Sequence, residues 1–327
     1  PEKLPYGRGY SIVEVQAPYG YVLDETPIYF DVTQENSIEE SGVTIIKVNK
    51  NNFAQKGTIA VEKTGEVFFG VSVSGGIDES GNELPIIYQP QYEKRGLPGA
   101  VYEVVAAEDI ITPDGTVRNH KGDVVDTIIT DENGIAMSCE LYLGEYEVRE
   151  VTAPNGMVLN PESRFVELVY AGQNVAVTET ATSFENERQK VEISLVKSIE
   201  QNERFDIGTN GEMKNITFGL FSAEEIVSTS GTFIPADGLI EIVSLNEDGT
   251  ATIKTDLPYG RYYVQEIATD SHYKLSDAKY PIIFEYVGQD TAVVKIAVND
   301  GKAIKNDLIY GSVSGKKVDE DGNALGG

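Results

Sequence analysis

The segment "TDENGIAMSCELYLGEYEVREVTAPNG" (130–156) lines up with "LNEDGTATIKTDLPYGRYYVQEIATDS" (245–271), and after one inserted residue with "LPYGRGYSIVEVQAPYG" (4–20). A repeat constrains a fold strongly, because each copy must be the same supersecondary unit. A second match is tighter. "NNFAQKGTIAVEK" (51–63), "ENERQKVEISLVK" (185–197) and "KNDLIYGSVSGKK" (305–317) align without gaps, and in each an Asn precedes a Lys by eleven positions. The Asn ends one copy and the Lys opens the next, so boundaries fall near 56, 190 and 310. This reads as the C-terminal part of one domain (1–56), two complete domains (57–190 and 191–310), and the first strand of a further one (311–327). The 57–190 domain carries an insertion near 64–95. Linkers are nearly absent, which predicts domains strung as a rod.

Each copy reads as strands. "GAVYEVVAAEDI" (99–110), "GEYEVREVTAP" (144–154) and "RYYVQEIAT" (261–269) are rich in β-branched and aromatic residues, with polar residues alternating at a strand's period. Asp/Asn/Gly clusters punctuate them at "DENG" (131–134), "NEDG" (246–249), "DEDG" (319–322) and "ESGN" (79–82), which predicts hairpin turns. Short strands at this spacing predict an all-β chain of sandwiches. No long segment has helical periodicity, although 222–228 has room for one turn. "LPYGR" occurs at 4–8 and 257–261, with "LYLGE" (141–145) in the same place between them. It lacks the Thr-Gly of a sortase sorting signal and is followed at once by a strand, so it reads as the turn that launches that strand.

Charge narrows the partners. Asp and Glu number 53 against 26 Lys and Arg, a formal charge of −27. That argues against nucleic acid and anionic membranes, which both need cationic surface. No apolar run reaches the roughly 18 residues that span a bilayer. Pro1 stands first, without an initiator Met or a signal peptide, which reads as a segment of a longer protein. The single cysteine, Cys139, excludes an intrachain disulfide and reads as a buried, inert thiol.

Enzyme chemistry finds little support. His120 and His272 are the only histidines, both in polar loop-like sequence, and no His or Cys pair has metal-ligand spacing. There is no phosphate-cradling glycine loop. The acidic turns fail the calcium-loop pattern, so turn chemistry accounts for them, and no cofactor is expected. What recurs is a Lys, a Glu and an Asn. Lys63 and Lys197 lie on opening strands, Glu150 and Glu266 lie mid-strand, and Asn186 and Asn306 lie near closing strands. The partial first copy keeps Glu14 and Asn52. Mid-strand Lys and Glu face solvent by default, but recurrence of all three at matching places argues for a shared role.

"LGEYEVREVTAPNG" and "YSIVEVQAPYGY" resemble the Tyr-x-Val-x-Glu-x-x-Ala-Pro-x-Gly-Tyr segment of Cna B-type domains, also called SpaA-like and prealbumin-like, of Gram-positive pilins and adhesins. "RGLPGAVYEVVA" is similar to their second strand. The resemblance spans the chain and weakens at "TDSHYKL", where the Ala-Pro-x-Gly-Tyr loop departs and the Glu stays. It implies tandem immunoglobulin-like, prealbumin-like β-sandwiches in a cell-wall-anchored, extracellular stalk or adhesin, sortase-linked to cell wall or pilus, with host matrix or glycans as candidate ligands. It also implies autocatalytic isopeptide bonds: Lys63–Asn186 promoted by Glu150 and Lys197–Asn306 promoted by Glu266. By the same resemblance Asn52, or Asn51, pairs with a Lys upstream, beside Glu14, and Lys317 pairs with an Asn downstream.

Burial disfavours charge, so it favours a neutral, nucleophilic amine and a protonated carboxyl. That carboxyl can polarise the Asn carbonyl and relay a proton as ammonia leaves. The reaction runs once per domain and is maturation rather than turnover. Two other readings stand beside it. One is a carbohydrate- or protein-binding module using "ELPIIYQPQYEKRG" (83–96), where a decorated loop or an extra hairpin is the simpler account. The other is spacer domains of a secreted enzyme.

Overall fold

A computed structural model describes residues 4–35, 38–40, 43–77 and 81–326. The turn expected at 79–82 lies in part outside the described residues. Contacts group the chain into two compact units: Pro1–Glu66 with Lys94–Arg188, and Val67–Glu93 with Gln189–Gly327.

Unit 1 holds a β-sandwich. One sheet runs Val124–Ile129, Val101–Ala106, Gly144–Thr152, Ser163–Leu168, all antiparallel neighbours. The facing sheet centres on the strand Lys56–Ile77. Ile135–Met137 and Leu141–Tyr142 pair with it antiparallel, and Val177–Asn186 pairs with it parallel. Period-two alternation sends Ile59 and Val61 inward, where they meet Tyr102, Val104, Tyr146, Val148 and Leu168 from the other sheet. Lys63 takes the next inward place and is 0% exposed. The segment before this sandwich adds short ladders, Gly7–Ile12 with Ile28–Val32, Tyr21–Val22 with Phe53–Ala54 and Ile38–Glu40 with Val43–Ile45.

Unit 2 repeats the plan. Leu239–Ser244, Thr217–Ser222, Gly260–Ala268 and Lys279–Phe284 make one sheet. Lys190–Ile199 leads the other, with Thr250–Ile253 antiparallel and Val293–Ala297 and Ile304–Asn306 parallel. Val191, Ile193 and Leu195 point inward, and Lys197 follows them. The 64–95 insertion forms an extra hairpin: Lys56–Ile77 runs on past Glu66 and pairs with Glu83–Gly96. Within unit 2, Phe68, Val71 and Tyr88 of this hairpin pack on the core, and Ile87 pairs with Leu239.

Two expectations change. The 222–228 segment forms no helical turn, because Ile226–Val227 pairs with Phe233–Ile234 as a short ladder. Among the described residues, helical turns of the 3-10 kind occur at Glu203–Phe205 and Glu212–Asn215. Cys139 is exposed, because Ser138 takes the inward place and hydrogen-bonds the Ile59 amide. The end of the chain, 311–326, forms an isolated Val318–Ala324 bridge and no named strand. A strand is held by its ladder partners, and none of the described strands pairs with this segment. The acidic turns behave as read: Asp131, Asp248 and Asp319 carboxylates accept from amides two to four residues on.

Candidate functional site

In unit 1, Lys63, Glu150 and Asn186 meet inside the sandwich. Lys63 Nζ donates to Asn186 Oδ1 and lies 2.8 Å from Glu150 Oε1. Asn186 Nδ2 donates to Glu150 Oε1 at 3.0 Å and Oε2 at 2.9 Å. The Asn160 amide adds a bond of 2.9 Å to Oε2. Phe184 and Tyr102 line the amine, with ring centres 6.0 and 5.8 Å from Nζ. Burial pushes the Lys63 amine below the usual lysine value, and Glu150 partly offsets it. Tyr102 lies directly across from Glu150 in the ladder. Burial, then the nearby Glu150 charge, pushes this phenol up, yet its hydroxyl makes no hydrogen bond of good geometry among the described residues.

In unit 2, Lys197 Nζ donates to Asn306 Oδ1 at 2.6 Å and lies 3.6 Å from Glu266 Oε2. Asn306 Nδ2 donates to Glu266 Oε1 at 2.6 Å and to Thr269 Oγ1 at 3.0 Å. Glu266 Oε2 accepts no hydrogen bond among the described residues. Burial again lowers the lysine, opposed by Glu266. Phe218 stands where unit 1 has Tyr102, across from Glu266.

Local structure explains the placement. A bulge follows each Glu: the ladder skips Val151 between Glu150 and Thr152, and Ile267 between Glu266 and Ala268. Bulges bend a strand and re-aim side chains. The turns at 141–145 and 257–261 deliver Gly144 and Gly260 as first strand residues. A Cβ there would come within 2.7 Å of Ile110 or 2.8 Å of Ile226. Those isoleucines close the similar strings "AAEDI" (106–110) and "SAEEI" (222–226), so the same packing contact recurs in both units.

In both units the carboxylate sits on the amide nitrogen of Asn and the lysine on its carbonyl oxygen. The carboxyl, expected from sequence to polarise the carbonyl and relay a proton, contacts the amide nitrogen and not the carbonyl oxygen. In the partial first copy, Asn52 Nδ2 donates to Glu14 Oε1 at 2.7 Å, and the Asp24 amide reaches Oε2 at 3.2 Å. Both side chains are half-buried, and Asn51 is exposed. Lys317 is exposed, outside any such cluster. Thr269, the Asn160 amide and the Tyr102/Phe218 position were not singled out from sequence. Thr269 lies within the "TDSHYKL" departure, which was the available signal.

The family model described as SpaA, prealbumin-like fold domain, matches residues 1–47, 86–182 and 201–302. These stretches contain Glu14, Glu150 and Glu266; the Lys and Asn positions of the clusters fall outside them. A comparison with curated proteins finds no match. Among solved structures, the chain is similar to the TIE protein of Bacillus anthracis, at 18% identity over 79% of this chain and 35% of that one, with a TM-score of 0.45. This chain therefore spans 35% of that protein's length. It is similar also to a streptococcal ancillary pilin, at 18% identity, 94% and 76% coverage and a TM-score of 0.28. A third is the shaft pilin SpaA of Lactobacillus rhamnosus GG, at 10% identity, 80% and 100% coverage and a TM-score of 0.27. With the family model matching three successive stretches and taking in most of the sequence, the chain belongs to the SpaA prealbumin-like fold domain family.

Proposed function

We propose that this chain is a structural segment of a Gram-positive surface protein, a pilin-like stalk or adhesin, whose units cross-link themselves through Lys–Asn isopeptide bonds. The observation that carries the reading is the buried Lys–Glu–Asn cluster, present in both units with Lys on the Asn oxygen and Glu on the Asn nitrogen. An ammonium and a carboxylate are costly to bury, even as a pair. Two such clusters on one sandwich position are better explained by a reaction than by stability.

The chemistry follows from the contacts. A proton passes from Lys63 Nζ to Glu150 across 2.8 Å, leaving a neutral amine. Nζ then bonds to Asn186 Cγ, and the Cγ–Nδ2 bond breaks. Nζ gives up two protons in all: one reaches Nδ2 through Glu150, so ammonia departs, and the other stays on the carboxyl. The fold supplies the rate by holding the partners in contact in a water-excluded site. Each unit reacts once. The protein is thus a self-modifying scaffold, not an enzyme with turnover.

The bond joins the first and last strands of a unit. By analogy with a disulfide, closing such a loop contributes about 4–5 kcal/mol through the unfolded state. Tension carried along the chain then passes through a covalent bond and not through a ladder of hydrogen bonds. This needs no oxidising compartment, and it suits an extracellular, wall-anchored location with neighbouring pilin-like subunits as partners. Intact mass spectrometry checks the reading: one ammonia is missing per bond, and peptide maps join Lys63 to Asn186 and Lys197 to Asn306. An unmodified mass from well-folded protein would sink it.

A further inference from the structure

We propose that Gln55 and Gln189 are positioning residues that set the register of the opening and closing strands, and so bring each Lys to its Asn; this rests on the cross-linking reading above. Both side chains are 1% exposed. Gln55 Nε2 donates to the carbonyls of Gly172, at 2.9 Å, and Val175, while its Oε1 accepts from the Ala171 amide at 2.8 Å. Gln189 repeats the set: Nε2 to the carbonyls of Gly288 at 3.0 Å and Thr291 at 2.7 Å, and Oε1 from the Val287 amide at 3.1 Å. All three bonds recur at matching places, and each uses the amide fully. A buried carboxamide is costly unless every polar atom is paired.

Its location gives it a task. Each Gln immediately precedes the first residue of the parallel pair, Lys56 opposite Val177 and Lys190 opposite Val293. The loops it grips, 171–175 and 287–291, lead directly into the closing strands. No hairpin turn links a parallel pair, so no turn fixes its register. A slip of one residue would send Asn186 to the opposite face. The Gln fastens opening strand to closing strand where they first meet, and Lys63 and Lys197 each follow their Gln by eight positions. In unit 1 the pairing then runs unbroken to Gly65 opposite Asn186. In unit 2 it runs only to Ser194 opposite Ala297 before the Val298–Gly301 turn intervenes. Unit 1 therefore depends on its Gln more than unit 2 does.

The test uses the full chain. Newly made protein is pulse-labelled in expressing cells, quenched in acid at intervals, and mapped for each bond separately. In Gln55→Met the Lys63–Asn186 bond should form about tenfold more slowly, while the Lys197–Asn306 bond keeps its normal rate and shows that the chain has folded. Gln189→Met should reverse the pattern with a smaller effect. Gln55→Glu, which keeps length and acceptor, should fall between wild type and Gln55→Met. Bonds forming at wild-type rates in all variants overturn the proposal alone. So does a lowered thermal midpoint with an unchanged linking rate, which marks a clamp and nothing more. A wild-type chain with neither bond overturns the cross-linking reading, and this inference with it.

Discussion

In unit 1 the closing strand Val177–Asn186 lies unbroken beside the opening strand, from Lys56 opposite Val177 to Gly65 opposite Asn186. In unit 2 the same edge is broken. Between Ser194 opposite Ala297 and Lys197 opposite Ile304, the closing side uses seven residues against three. The four extra residues are taken up by the Val298–Gly301 turn, with Asn299 and Asp300 in left-handed backbone. Yet Asn186 lies opposite Gly65, two past Lys63, and Asn306 lies opposite Ile199, two past Lys197. Strand continuity varies between the units and the Lys–Asn relation does not. The surroundings of the Glu vary as well. Glu150 is held by Lys63, by both approaches of Asn186 and by the Asn160 amide. Glu266 has fewer bonds, and Thr269 takes a share of the Asn amide.

The largest expected effect comes from the buried carboxylates of the two clusters. Glu150→Ala and Glu266→Ala should each abolish the bond in its own unit only. Each loss should cost about 4–5 kcal/mol in denaturant unfolding, because loop entropy grows only logarithmically with length. The next test separates the units. One residue inserted between Ala181 and Thr182 flips every later side chain of an unbroken strand, so the Lys63–Asn186 bond should vanish. One residue inserted between Asn299 and Asp300 enters a turn that already absorbs extra chain, and the Lys197–Asn306 bond should survive. Equal loss in both units would mean that the turn does not buffer register.

Much of this was legible in the sequence because it repeats. The inward alternation of "TIAVEK" and "VEISLVK" places each Lys in line with core residues. Chain spacing cannot show which atoms meet. Thr269 enters the site because the bulge at Ile267 and the loop beyond it turn its hydroxyl to Asn306, a three-dimensional fact. Cys139 was misread for a related reason. "GIAMSCELYL" reads as one strand, but its phase turns Ala136 and Ser138 inward and leaves Ile135, Met137 and the Cys139 thiol outward. The 64–95 insertion announced itself as foreign to the repeat, but its packing within unit 2 depends on Phe68 and Tyr88 meeting a core formed more than a hundred residues later.

Smaller effects sharpen the contrast between the two glutamates. Thr269→Val removes one acceptor from Asn306 and should slow the unit 2 bond about fivefold, the worth of one hydrogen bond; unit 1 has Ala153 at the matching place and should be unaffected. The lysines predict a pH effect in chains that cannot link. In Asn186→Ala, the folded state holds Lys63 below its ordinary value of 10.5, so the unfolded chain binds the extra proton. Stability therefore rises with pH through the window between the lowered value and 10.5. Denaturation curves taken across that window should show the rise, and Lys63→Met in the same background should flatten it.

The smallest effect concerns Tyr102 and Phe218, which face the two glutamates from the same ladder position. Both rings line the amine at similar distance, 5.8 Å for Tyr102 and 5.7 Å for Phe218. If the ring's role is to exclude water, the hydroxyl is dispensable. Tyr102→Phe should then leave the Lys63–Asn186 bond forming within about twofold of wild type, and it removes a buried hydroxyl lacking a good hydrogen bond. The thermal midpoint should rise, by an amount equivalent to about 1 kcal/mol. Phe218→Tyr should do the reverse in unit 2, because it buries a hydroxyl in a core position. A tenfold slower bond in Tyr102→Phe would instead make the phenol part of the proton path in unit 1, and the two sites would then differ in chemistry as well as in their supporting bonds.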